Sequence, residues 1–143
     1  MGFKEKTAII TGAARGIGRA IAEGLAAEGA SVVISDMDLG AATETVEEIQ
    51  ESSGNRCVPL RTDVRIKEEI LSLVEWTHKE FGRIDILCNN AGICTSPPIE
   101  AISVEEWDQM MAVNLRGVFL CCQAVMPVMK AQREGRILNM ASL

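Results

Sequence analysis

A chain of 143 residues, 48% hydrophobic and 24% charged, can bury roughly 68–70% of its unfolded surface as one domain, residues 1–143, and its composition is not that of a disordered chain. The formal net charge of −6, with basic residues scattered among acids, argues against a nucleic-acid partner. Cys57, Cys88, Cys94, Cys121 and Cys122 form no Cys-x-x-Cys pair and His78 is the only histidine, so no metal site is expected and the cysteines read as small apolar residues of a reduced interior. Met1 is followed by Lys4, Glu5 and Lys6 rather than an apolar signal core. The longest apolar stretch, Ala112 to Met129, contains Asn114, Arg116 and Gln123 and reads as a buried helix rather than a membrane span. The expected setting is cytoplasmic.

Thr7 to Thr11 is a short apolar strand ending at a glycine, and Ile17, Ile21 and Leu25 at four-residue spacing predict a helix from Gly16 to Glu28, closed by Gly29. Ser31 to Ser35, rich in β-branched residues, predicts a second strand before Asp36. A helix follows around Ala41 to Ser52, with Ala42, Val46 and Ile49 on one face, and then a third strand from Cys57 to Thr62. Ile66, Ile70, Leu73, Val74, Thr77 and Phe81 recur near the helical period until Gly82, and Ile84 to Cys88 is apolar enough for a strand buried on both faces. Beyond the loop with Pro97 and Pro98, Ser103 and Glu106 form a capping-box start for a long helix that runs to about Gln132 with a bend or break near Asn114. Arg136 to Met140 is a fifth strand.

Strands alternating with helices predict an α/β, Rossmann-like doubly wound parallel sheet. With about five strands it is incomplete, lacking C-terminal strands and helices. The apolar Ile137, Leu138 and Met140 suit an interior strand, so an unpaired outer edge here predicts self-association. Ligands of such sheets bind beyond the carboxyl ends of the strands, where Gly12, Asp36, Asp63, Asn89 and Ser142 all fall.

The segment Thr11-Gly12-Ala13-Ala14-Arg15-Gly16-Ile17-Gly18 joins a strand to a helix with glycines spaced G-x-x-x-G-x-G. Gly12 suits the turn out of the strand, Gly16 a close approach of backbone to a diphosphate, and Gly18 the packing of the helix on the sheet. Free N–H groups from Arg15 through Ile17 to Gly18, and the helix dipole, then face the anion. Asp36, 18 residues past Gly18, is placed to accept hydrogen bonds from a ribose diol and to repel a 2′-phosphate, which favours NAD over NADP. Arg15 pulls the other way, as a basic group within reach of a 2′-phosphate, and Asp36 also suits a plain helix cap.

With Asn89-Asn90-Ala91-Gly92 and Asp63-Val64 added in the same order, essentially the whole chain resembles the short-chain dehydrogenase/reductase family. The resemblance implies that Asp63 and Val64 line an adenine pocket, that Asn89 steadies the central strand, and that Asn90, Ala91 and Gly92 pass close to the cofactor. It implies catalytic roles for Asn114, holding a water of the proton relay, and for Ser142, hydrogen-bonding the substrate oxygen. Ala141 stands where many members have a second serine. The family's Tyr-x-x-x-Lys pair is absent, since the chain has no tyrosine. The implied activity is hydride transfer between NAD(H) and a secondary alcohol or ketone, as in 3-oxoacyl-carrier-protein reductases or sugar dehydrogenases, with these residues inactive by themselves. The alternative is a noncatalytic dinucleotide-binding module or a decayed product. A small-molecule substrate, no membrane partner and a homo-oligomer built through the long helix complete the expectation.

Overall fold

The computed structural model describes residues 2–141. Five strands, β1 (Thr7–Thr11), β2 (Ser31–Asp36), β3 (Cys57–Arg61), β4 (Ile86–Asn89) and β5 (Arg136–Asn139), pair in parallel in the order β3-β2-β1-β4-β5. They are connected by α1 (Gly16–Ala27), α2 (Leu39–Ser53), α3 (Lys67–Phe81) and, after a short turn at Ile99–Ala101, by α4 (Val104–Met111) and α5 (Val118–Gln132). The Rossmann-like sheet expected from the alternation is the one observed, with the strand order reversing direction between β1 and β4.

A parallel sheet needs cover on both faces, and side-chain alternation supplies two cores. Ala8, Ile10, Val32 and Ile34 pack under Ala22 and Ala26 of α1 and Ala42, Val46 and Ile49 of α2. Ile9, Val33 and Leu87 face Ile70, Leu73 and Val74 of α3 and Val125 and Met129 of α5. The small α1 residues let that helix lie close to the sheet and bring its first turn to the end of β1.

The expected break near Asn114 takes the form of a π-helical turn, Ala112–Gly117, within an otherwise continuous helix that starts at the capping box of Ser103 and Glu106. By length and composition Val104–Gln132 is apolar enough to cross a membrane, but a stripe of Val113, Gly117, Cys121, Val125 and Met129 packs inward. The expectation of a buried helix needs correction: only this stripe is buried, while Trp107, Leu115, Phe119 and Met126 are exposed. Likewise Cys57, Cys88 and Cys121 are buried, but Cys122 is only partly so and Cys94 is exposed in the loop after β4.

Among the described residues β5 has no neighbour on its outer side, and Leu138 and Met140 are exposed. The α1 face of β4 and β5 is open too. Phe3, Ile21, Leu25, Ile86 and Leu138 line a groove there of about 760 Å³.

The opposite end of the sheet is held by Asp85, 4% exposed, which accepts from the Thr7 amide (2.9 Å) and from Arg83 Nε (2.7 Å) and lies 3.3 Å from Lys6 Nζ. Burial alone would raise the Asp85 carboxyl, but Arg83, the Thr7 amide and Lys6 outweigh it and hold it below the usual range. A carboxyl depressed on folding stabilises fully above its unfolded value of about 3.9 and loses that contribution as pH falls through the folded value. Urea denaturation should therefore show stability falling below about pH 4, with a shallower fall in Asp85→Asn. Equal pH slopes for the two proteins would contradict this assignment.

Candidate functional site

The order reversal between β1 and β4 opens a crevice at the carboxyl ends of these strands. Its floor is a junction around Thr11. The Thr11 hydroxyl accepts from the amides of Asn90 and Ala91 (both 3.1 Å) and lies 3.5 Å from the Cys88 carbonyl, to which it donates. The Asn90 side chain donates back to the carbonyls of Thr11 (3.1 Å) and Gly12 (2.9 Å). A Cβ on Gly12, whose φ is +63°, would sit 2.8 Å from the Ala91 Cα, so the two loops meet backbone to backbone. Thr11 was not among the sequence candidates; its only signal was a hydroxyl at a strand end beside the first glycine.

Gly18 lies beneath this junction, where a Cβ would clash with the Asn90 amide and stand 2.5 Å from the Gly12 carbonyl oxygen. Gly16 differs. Its φ is +60° and a Cβ there would meet nothing within 4 Å, so the space beside it is open. Asp38 caps α2 and Ser103 caps α4, and α3 carries Glu68 and Glu69 in its first turn. The first turn of α1 has neither a side-chain cap nor an acidic residue, so its free N–H groups and positive dipole end face the crevice.

Asp36 caps no helix. Its Oδ2 accepts from the Ala14 amide and its Oδ1 from the Asp38 amide, each at 3.0 Å, which anchors the carboxylate at the rim. Arg15, 71% exposed, turns onto Asp38, with Nη2 2.6 Å from Oδ2. A cleft of about 290 Å³ gathers Gly12, Arg15 and Asp36 with Val64, Asn90, Ala91 and Gly92, and adds Met37, Thr62, Ile93 and Val113. Thr62, whose hydroxyl is buried without a partner, gave no sequence signal.

Other candidates lie outside this lining. Ile17 is exposed on α1. Asp63 pairs with Arg65, whose Nε and Nη2 donate to its carboxylate at 2.9 and 2.6 Å, and that guanidinium first, outweighing burial, lowers the Asp63 carboxyl. Asn89, inside the sheet end, donates to Asn139 Oδ1 at 2.9 Å. Asn114 sits behind the loop after β4, its Oδ1 accepting from the Ile93 amide (2.9 Å) and its Nδ2 donating to the Ile93 carbonyl (2.7 Å). Through this pair of bonds its side chain braces that loop. Ser142 lies outside the described residues. Burial pushes the Cys57 thiol up to about 11 and the Cys121 thiol up to about 12, so neither is a thiolate nucleophile near neutrality.

Residues 6–143 match the family model described as short chain dehydrogenase. The chain belongs to the short-chain dehydrogenase/reductase family. It is 42% identical over 143 residues to galactitol 2-dehydrogenase of Agrobacterium fabrum, covering 99% of this chain and 54% of that protein. It is 37% identical over 138 residues to a 3-oxoacyl-[acyl-carrier-protein] reductase of Synechocystis, covering 96% and 56%. A crystal structure described as a short-chain alcohol dehydrogenase of Sinorhizobium meliloti 1021 superposes with a TM-score of 0.94 at 36% identity, over 99% of this chain and 56% of that one. The chain thus spans little more than half the length of these short-chain dehydrogenase relatives.

The junction makes a local prediction. Gly18→Ala should destabilise the fold by about 1–3 kcal/mol through overpacking, whereas Gly24→Ala, in open space on the same helix, should be neutral or stabilise by up to about 1 kcal/mol. Urea midpoints of the two variants check it; equal effects would contradict the packing described.

Proposed function

We propose that the chain is the nucleotide-binding part of an oxidoreductase that moves a hydride between NAD(H) and a secondary alcohol or its ketone. The observation that carries this reading is the uncapped, acid-free start of α1 opening beside the anchored Asp36 carboxylate, across the open space at Gly16. That pairing suits a dinucleotide in both its parts. Amides of Arg15, Gly16, Ile17 and Gly18 would hold the diphosphate, and Asp36 would accept from the ribose hydroxyls while repelling a 2′-phosphate. NADP is the disfavoured cofactor on that ground. Val64, Asn90, Ala91 and Gly92 would wall the cleft, with the Asp63–Arg65 pair holding the turn behind Val64.

When bound, the nicotinamide supplies the hydride-carrying carbon. This chain's own contribution is to orient it and exclude water. Asn114 fixes Ile93 at the edge of the cleft, and its carboxamide keeps one N–H and one lone pair with which it would hold a relay water. Ser142 is assigned to the substrate oxygen. A secondary alcohol as substrate agrees with the dehydrogenase and reductase names of the relatives.

The absence of tyrosine favours a second reading for the 143 residues alone, a binding module without turnover. Neither Asn114 nor Ser142 exchanges a proton near neutral pH. Calorimetry should detect NAD binding, with Asp36→Asn weakening it, while an NADH absorbance assay with secondary alcohols stays at background. Binding of neither NAD nor NADH would overturn the nucleotide reading; normal turnover would overturn the binding-module reading.

Self-association is proposed through the exposed Trp107, Leu115, Phe119 and Met126. Size-exclusion chromatography should show an oligomer that Phe119→Glu shifts toward monomer, and a monodisperse wild-type monomer would contradict it.

A further inference from the structure

Arg15 is the only cationic side chain lining the cleft among the described residues, and it shares that lining with Asp36. A guanidinium there is the chemical group suited to a ribose 2′-phosphate, since its planar fork matches phosphate oxygens. In this structure one arm of the fork is engaged elsewhere. Asp38 Oδ2 accepts from Arg15 Nη2 at 2.6 Å, and Asp38 is itself held in place by two anchors, one on its carboxylate and one on its main chain. Its Oδ1 accepts from the Ala41 amide at 3.0 Å as the cap of α2, and its own amide donates to Asp36 Oδ1 at 3.0 Å.

We propose that Asp38 is a positioning residue for cofactor choice: by holding Arg15 it keeps that guanidinium from a 2′-phosphate, reinforcing the exclusion that Asp36 exerts directly. The inference rests on the nucleotide reading above and deepens it. The chain Asp36–Asp38–Arg15 divides the work between two carboxylates. Asp36 is fixed by main-chain amides and faces the ribose, and Asp38 is fixed by the helix it caps and faces the arginine. Both groups of the Arg15–Asp38 pair are well exposed, 71% and 52%, so the pair is weak and its removal should change selectivity modestly.

The test uses ADP-ribose and 2′-phospho-ADP-ribose as probes, titrated calorimetrically at low ionic strength. Asp38→Asn keeps an oxygen for the Ala41 amide while removing the charge that holds Arg15. It should raise affinity for 2′-phospho-ADP-ribose roughly two- to fivefold and leave ADP-ribose within about twofold. Arg15→Gln, which leaves the cap untouched, should alter binding of the phosphorylated probe by less than about twofold, because the pair with Asp38, though weak, leaves the guanidinium free only part of the time. In Arg15→Gln/Asp38→Asn the gain should fall to less than half of that in Asp38→Asn. The inference alone is overturned if wild type binds ADP-ribose and Asp38→Asn leaves the ratio of the two affinities unmoved. It is equally overturned if the gain is the same with and without Arg15, which assigns the effect to the Asp38 charge itself, or if Arg15→Gln alone costs fivefold or more. Wild-type protein that binds neither probe overturns the nucleotide reading and this inference together.

Discussion

The contact between the end of β1 and the loop after β4 is the constraint on which the rest of the molecule depends. Parallel strands β1 and β4 are neighbours in the sheet, but the chain reaches β2 and β3 before it returns, so their following loops part in opposite directions and leave a crevice. The Thr11 hydroxyl, the Asn90 side chain and the missing side chain of Gly12 hold the two loops at backbone distance. Splayed apart there, the glycine turn would no longer sit against Ala91 and Gly92, and the start of α1 would face solvent. These bonds join main chain to short side chains, with little rotamer freedom to lose on folding.

Electrostatics then separates α1 from its fellows. Side chains satisfy the first turns of α2 and α4, and two glutamates stand at the start of α3. The first turn of α1 is left to whatever enters the crevice, at the one helix start flanked by left-handed glycines and an anchored carboxylate. At the far end of the sheet Asp85 does the reverse, drawing Thr7, Arg83 and Lys6 into a closed cluster. One end is built to be complete and the other to be completed.

Much of this was legible in the sequence because it follows from local periodicity. β1 and β2 fall where β-branched runs end at Gly12 and Asp36, and α3 follows the spacing of Ile70, Leu73, Val74 and Thr77. The interruption at Asn114 showed as a polar residue in an apolar helix, though only the structure shows it as a π turn bracing Ile93. What the sequence did not show depends on partners far apart in the chain. Asp36 suits a helix cap by its place after β2, but the cap of α2 is Asp38, a residue the sequence did not single out, because the Asp36 carboxylate is already bonded to the amides of Ala14 and Asp38. The pairing of Asp63 with Arg65, two positions on, through both carboxylate oxygens is a contact the sequence pattern does not carry. Thr62 carries no pattern at all, and Thr11 only its place beside the first glycine.

Amide chemical-shift mapping by NMR during titration with NAD tests whether the start of α1 receives the nucleotide. The largest shifts should cluster at Gly16, Ile17 and Gly18, with further shifts at Ala91 and Gly92 across the junction. Saturable shifts confined to the groove lined by Ile21, Leu25 and Leu138, with the amides of the glycine turn unmoved, would contradict it.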